Sequence, residues 1–128
     1  MRKGSKMAKI ILIEDEQALS EVYSEVLRDA GYEVSQCFDG EEGLKTLRAG
    51  SWDLLLLDLM LPKIDGIEIL QQLVNEGLLE GRSVIMLTNL GSDELVNKCS
   101  VLGAKEFLIK SDIDPKVLVE AVGKALSK

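Results

Sequence analysis

The sequence predicts a doubly wound α/β domain with a parallel five-stranded sheet. Three observations lead there. Short apolar runs alternate with longer stretches whose apolar residues recur at three- and four-residue spacing. The run Leu54 to Leu57 has no polar alternation, as expected of a strand buried on both faces. No linker or composition shift interrupts the alternation, which argues for a single α/β layer system.

Lys9 to Glu14 forms the first strand, rich in β-branched residues. Ala18, Leu19, Val22, Tyr23, Val26, Leu27 and Ala30 then repeat at helical spacing, and Gly31 ends that helix. Glu33 to Phe38 alternates polar and apolar, which suits a strand at a sheet edge. A second helix starts at Asp39 or Gly40, carries Leu44 and Leu47 inward and closes at Gly50. Asp53 to Asp58 is the third strand, and Pro62 and Gly66 break the loop after it. Ile67, Leu70, Leu73 and Val74 mark the third helix, and Ser83 to Thr88 the fourth strand. Ser92 suits the N-cap of a fourth helix lined by Leu95, Val96, Cys99 and Leu102. Glu106 to Lys110 is the fifth strand. Asp114 caps and Pro115 opens the last helix, with Val117, Leu118, Ala121, Val122, Ala125 and Leu126 expected inward.

Right-handed crossovers and helices on both faces follow from the general rule. A flavodoxin-like order, 2-1-3-4-5, puts the alternating second strand at an edge and the leucine-rich third strand in the middle. Ligands of such sheets sit at the carboxyl ends of the strands, where the order reverses.

A chain of 128 residues that is 46% hydrophobic is sized for one domain with a real core. Residues 1–7, within the basic stretch MRKGSKMAK, are expected to be a disordered extension or a cloning remnant, with Met7 as the natural start and the domain over 8–128. That stretch passes straight into a strand pattern, so it is no secretory signal. No apolar run approaches the roughly 18–20 residues that cross a membrane. A net charge of −7 argues against nucleic-acid or anionic-membrane surfaces. The chain has no histidine, which excludes histidine catalysis, histidine zinc sites and phosphohistidine within it. Cys37 and Cys99 read as small buried hydrophobes in a reducing compartment, so a cytoplasmic location is expected.

The expected strand ends supply Glu14 and Asp15, Asp58, Thr88 and Lys110. Taken singly, each has an ordinary reading as a helix-dipole acid, a β-branched strand residue or a solvated charge. Together they place three carboxylates at the switch point, where like charges raise each other's pKa unless a cation lies between them. Hard oxygen ligands in a small open site suit Mg²⁺. An ammonium and a hydroxyl opposite suit the equatorial oxygens of a phosphoryl group. Attack of a carboxylate on phosphorus, leaving an aspartyl phosphate, is the chemistry such a site supports.

From about residue 8 to 126 the chain resembles a response-regulator receiver domain of two-component signalling. The resemblance rests on Glu14-Asp15, the DLMLPKIDG run from Asp58 to Gly66, Thr88 and Lys110. It implies Asp58 as phosphoacceptor and Glu14, Asp15, Asp58 and the Met60 carbonyl as the Mg²⁺ set, with Mn²⁺ able to substitute. It further implies Thr88 and Lys110 on the phosphoryl oxygens and Phe107 as the switch aromatic, although simple core packing would also explain Phe107. Three positions depart from the family pattern. Ser111 replaces the usual proline after the lysine, so a trans bond or a remodelled loop is expected, and the reach of Lys110 is in question. Asn89 stands where a small residue is common, and Phe107 carries no hydroxyl.

The implied function is a phosphoacceptor switch. It is not a metabolic enzyme, and it catalyses only its own phosphorylation and dephosphorylation. A histidine kinase or histidine phosphotransfer protein would be the donor. The face of helix four, strand five and helix five would dock an unknown output partner, with no direct nucleic-acid or membrane contact. Alternatives are a phosphorylation-independent interaction module of the same fold and an aspartyl-phosphate phosphatase. The phosphatase would need an acid where Met60 stands, and a flavin carrier would need a glycine-rich loop in place of Glu14-Asp15-Glu16. Met60 and Leu90, two residues after Asp58 and Thr88, are apolar and offer nothing to orient a water, so a long-lived phosphorylated state is expected.

Overall fold

The computed structural model describes residues 7–89, 93–110 and 113–127. Five strands, β1 (Lys9–Ile13), β2 (Glu33–Cys37), β3 (Leu54–Asp58), β4 (Ser83–Thr88) and β5 (Glu106–Ile109), alternate with five helices. The helices are α1 (Gln17–Asp29), α2 (Gly40–Ala49), α3 (Gly66–Asn75), α4 (Asp93–Leu102) and α5 (Pro115–Leu126). The strands are parallel, in the order β2-β1-β3-β4-β5, as the sequence predicts. Strands one, two and five each stop one residue short of the expected end, and β3 starts one residue late. Ser92 lies outside the described residues.

Strand alternation divides the core into two layers. Ile11, Ile13, Leu55, Leu57, Val84 and Met86 face α2, α3 and α4. Ile10, Leu12, Leu54, Leu56, Ile85 and Leu87 face α1 and α5. Every residue of β3 and β4 is buried, whereas β2 alternates between exposed and buried, as befits the edge. Cys37 and Cys99 are both buried and unbridged.

Three helices depart from the expected stripe. In α3, Val74 is 39% exposed and Ile69 is buried beside Leu70 and Leu73. Helix α1 buries Ser20, Tyr23, Ser24 and Leu27, while Val22 is 52% exposed and Ala18 and Ala30 lie at the surface. Tyr23 and Leu27 seat in the α1–α5 core layer, and the residues one turn above them, Ser20 and Ser24, turn inward with them. In α5, Leu118, Ala121, Val122 and Ala125 are buried, but Val117 points outward in the first turn.

Candidate functional site

Because alternation has period two, Glu14 continues the row of Ile10 and Leu12, Asp58 that of Leu54 and Leu56, and Lys110 that of Leu108. These side chains therefore share the α1–α5 side of the sheet. Thr88 follows Val84 and Met86, and Phe107 packs on the same layer, on the opposite side.

Glu14 and Asp58 are buried at 0% and 3% exposure, and Asp15 beside them is exposed. Carboxylate oxygens of Glu14, Asp15 and Asp58 lie within 4.8 Å of one another. The Lys110 ammonium sits 3.0 Å from Asp58 Oδ2, 2.9 Å from Glu14 Oε1 and 3.3 Å from Glu16 Oε1. Lys110 is thus a buried partner of the acids, not a solvated edge charge, and it reaches the site with serine in the next position. Ser111 itself, and the peptide joining it, lie outside the described residues, as does Leu90.

Glu14 takes a further bond at Oε2 from the Glu16 N–H, 2.9 Å away. Burial raises its pKa to about 7, opposed by the Glu16 and Lys110 bonds and reinforced by the Asp58 charge. Burial also raises Asp58, against its bonds to Lys110. Like-charge repulsion, the cause the sequence suggests, is secondary at Glu14. Desolvation leads at both acids because both carboxylates close the end of a fully covered strand. Burial works against the Lys110 ammonium too, yet its bonds to Glu14 and Asp58 hold it above the ordinary lysine range.

The loop after β3 is held in place from two directions. The Met60 N–H donates to Asp58 Oδ1 at 3.2 Å, and the Met60 side chain is 75% exposed. Gly66 N–H donates to the Leu59 carbonyl at 2.9 Å, and a Cβ on Gly66 would strike the Asp58 carbonyl. Across the loop Gly40 N–H donates to the Pro62 carbonyl at 3.3 Å, and a Cβ on Gly40 would collide with the Ile64 carbonyl. Lys63, at φ 70°, faces Glu41 at 3.5 Å and Asp39 at 3.8 Å. Thr88 is 5% exposed, Phe107 is half-buried against the α4-side core, and Asn89 is exposed.

Residue-level reading missed one member. Glu16 stands at the N-cap position of α1 and pairs with Lys110, and the run of three acids at Glu14 was its only signal.

A doubly wound sheet with a buried carboxylate, two neighbouring acids and an inserted lysine at its switch point defines a class of small α/β domain. The model of the response regulator receiver domain family matches residues 10–123, and the chain belongs to that family, a component of two-component systems. It is 31% identical over 121 residues to the chemotaxis protein CheY of Treponema pallidum, covering 92% of this chain and 82% of that protein. Identity is 35% over 102 residues to the transcriptional regulatory protein DltR of Streptococcus agalactiae, covering 80% of this chain and 45% of DltR. The chain thus spans under half the length of that regulator. A solved CheY-like receiver domain protein from Methanospirillum hungatei superposes with a TM-score of 0.88 at 27% identity, covering 94% of each chain. Among the described residues no helix is long and apolar enough to cross a membrane.

Proposed function

We propose that this receiver domain is a phosphoacceptor switch in which Asp58 takes a phosphoryl group from a phosphohistidine of a histidine kinase or phosphotransfer protein. The observation that carries the reading is the Asp58 carboxylate, buried at the end of β3 with Lys110 Nζ 3.0 Å from Oδ2 and two acids alongside. A carboxylate oxygen of Asp58 attacks phosphorus as the donor's P–N bond breaks, and the bond electrons leave with the donor imidazole. The donor histidine lies outside this sequence, which contains none.

Glu14, Asp15 and Asp58 fit a hard divalent cation: three oxygen donors converge, and Asp15 leaves one side open to solvent. With the Met60 carbonyl they would hold Mg²⁺, or Mn²⁺ in its place, which when bound supplies neutralising charge for the phosphoryl oxygens. Lys110 turns its ammonium from Glu14 to a phosphoryl oxygen, and the Thr88 hydroxyl donates to another. Inward movement of Thr88 frees space for Phe107 on the same side of the sheet. The readout face is then α4, β5 and α5. Each of these elements exposes one large apolar side chain, Val101 at 86%, Ile109 at 45% and Val117 at 46%. Met60 presents no group that could hold a water near the phosphoryl path, in keeping with a long-lived state. The domain acts on itself alone and is otherwise no enzyme.

Intact mass after incubation with Mg²⁺ and acetyl phosphate tests this. The parent gains one phosphoryl group and Asp58→Asn gains none while keeping its far-ultraviolet circular dichroism. Stoichiometric label on Asp58→Asn would refute the assignment. An unlabelled parent would favour a phosphorylation-independent interaction module.

A further inference from the structure

The loop over 59–65 joins β3 to α3 and carries the Met60 carbonyl. Leu59 is tied down twice. Its N–H donates to the Leu87 carbonyl of β4 at 2.9 Å, and its carbonyl accepts from the Gly66 N–H at 2.9 Å. The next fixed point is Pro62, whose carbonyl takes the Ile64 N–H at 2.8 Å and the Gly40 N–H at 3.3 Å. Met60 and Leu61 are strung between these two points. With consecutive Cα atoms about 3.8 Å apart, a displacement of Pro62 has to be taken up in their peptides.

The Pro62 anchor is strained. The Ile64-to-Pro62 bond closes a three-residue turn on Lys63, at φ 70° the one non-glycine with positive φ among the described residues. A turn of this hand is rare for an L-residue and persists only where its surroundings impose it. Burial does not hold Pro62 and Lys63, because both are exposed. The contacts that do hold them come from the start of α2. The Gly40 N–H, one of the donors a helix leaves unpaired in its first turn, goes to the Pro62 carbonyl. The Gly40 backbone lies so near the Ile64 carbonyl that only a residue without Cβ fits there. The Lys63 ammonium faces Glu41 at 3.5 Å and Asp39 at 3.8 Å. That end of α2 is itself fixed. Asp39 accepts from the Glu42 N–H at 2.8 Å, and Glu42 Oε1 accepts from the Phe38 N–H at 2.9 Å.

We propose that Gly40, with Lys63 held across from it, is a positioning residue for the acidic site. The start of α2 sets where the Met60 carbonyl stands relative to Asp58. This role rests on the phosphoryl reading, in which that carbonyl joins Glu14, Asp15 and Asp58 on the cation. Gly40 supplies no ligand and acts through the backbone of 59–62. Groups that orient a metal ligand from behind typically change metal affinity about 10–100-fold when removed.

The test uses the full chain, with ¹³C at the methionine carbonyls and ¹⁵N in leucine. Met60-Leu61 and Met86-Leu87 are the two places where a labelled carbonyl meets a labelled nitrogen, and Met60→Leu tells their signals apart. In the parent the Met60-Leu61 signal should move during a Mg²⁺ titration. Gly40→Ala should displace that signal before any Mg²⁺ is added, and calorimetry should show about ten-fold weaker Mg²⁺ binding. Gly43→Ala, in the same helical turn, presses instead on the Ile13 side chain. It should lower the urea midpoint and bind Mg²⁺ like the parent. Lys63→Gly relieves the positive φ and removes both ion pairs, so it should fold and bind Mg²⁺ about three-fold more weakly. If folded Gly40→Ala binds Mg²⁺ like the parent, the role is refuted. If Gly40→Ala does not fold, parent-like binding by Lys63→Gly refutes it instead. Equal weakening in Gly43→Ala would trace the effect to lost stability and also overturn it. A parent that binds Mg²⁺ while its Met60-Leu61 signal stays still refutes the role and leaves phosphorylation of Asp58 standing. A parent that binds no Mg²⁺ at all overturns both.

Discussion

At the amino ends of the strands, Arg82 donates to the carbonyls of Trp52 at 2.9 Å, Leu78 at 3.0 Å and Gly50 at 3.4 Å. Its guanidinium carbon lies 4.4 Å from the centre of the Trp52 ring, and the Trp52 indole N–H reaches the Leu47 carbonyl. At the carboxyl ends, Lys110 stands among Glu14, Glu16 and Asp58, with Asp15 alongside. One end gives a cation a full set of neutral acceptors at a partly solvated rim. The other gives one buried ammonium to several acids, so negative charge is left in excess where solvent is scarce. Partners satisfied within the fold stabilise it. A buried excess of negative charge is relieved by a proton or a further cation, so this is the end where proton or cation binding should couple to stability.

Removing the central cation should have the largest effect. Lys110→Met leaves Glu14 and Asp58 buried without their counter-charge, and breaking a buried pair in this way costs about 3–5 kcal/mol. Urea denaturation should show the loss to be greatest above pH 8, where the acids cannot escape by taking up protons. A uniform loss across pH would mean that Lys110 contributes mainly packing.

The metal-free parent should itself respond to pH. Glu14 titrates near 7 in the folded chain against an ordinary 4.5, so the folded state holds its proton more tightly. That stabilisation is complete below pH 4.5 and is lost as pH rises through about 7, on the order of 3 kcal/mol. Chelated protein should therefore unfold at lower urea at pH 8 than at pH 5.5, and saturating Mg²⁺ should reduce the difference. Equal midpoints in chelator would remove the excess-charge argument.

A perturbation at the opposite end sharpens the contrast. Arg82→Lys keeps the charge but loses the fork and the stacking over Trp52, at a cost of about 1–2 kcal/mol. Acetyl phosphate labelling of Asp58 should be unchanged. A labelling rate that falls with Arg82→Lys would show that the two ends are coupled.

The smallest effect belongs to Asp15→Asn. Asp15 is exposed, so relieving its repulsion should raise metal-free stability by no more than about 0.5 kcal/mol. Mg²⁺ affinity, followed by calorimetry, should nevertheless drop. A gain in stability with unchanged affinity would take Asp15 out of the metal set.

Read from residues alone, the chain already determines ten elements, the parallel sheet, the edge position of β2 and the delivery of Glu14, Asp58, Thr88 and Lys110 to one end of it. These are local facts: runs of two-fold or helical period, punctuated by glycine and proline, and a polar residue wherever an apolar run stops. Only the tertiary structure decides the rotation of α1, which turns Ser20 and Ser24 inward and Val22 outward. Periodicity locates a stripe to within one neighbouring residue, but the seat available to Tyr23 and Leu27 between β1 and α5 picks the face. Likewise only the fold makes burial, more than repulsion, the cause of the raised acids, and brings Glu16 to Lys110. Desolvation is set by everything that packs around a group, and no stretch of sequence contains that sum.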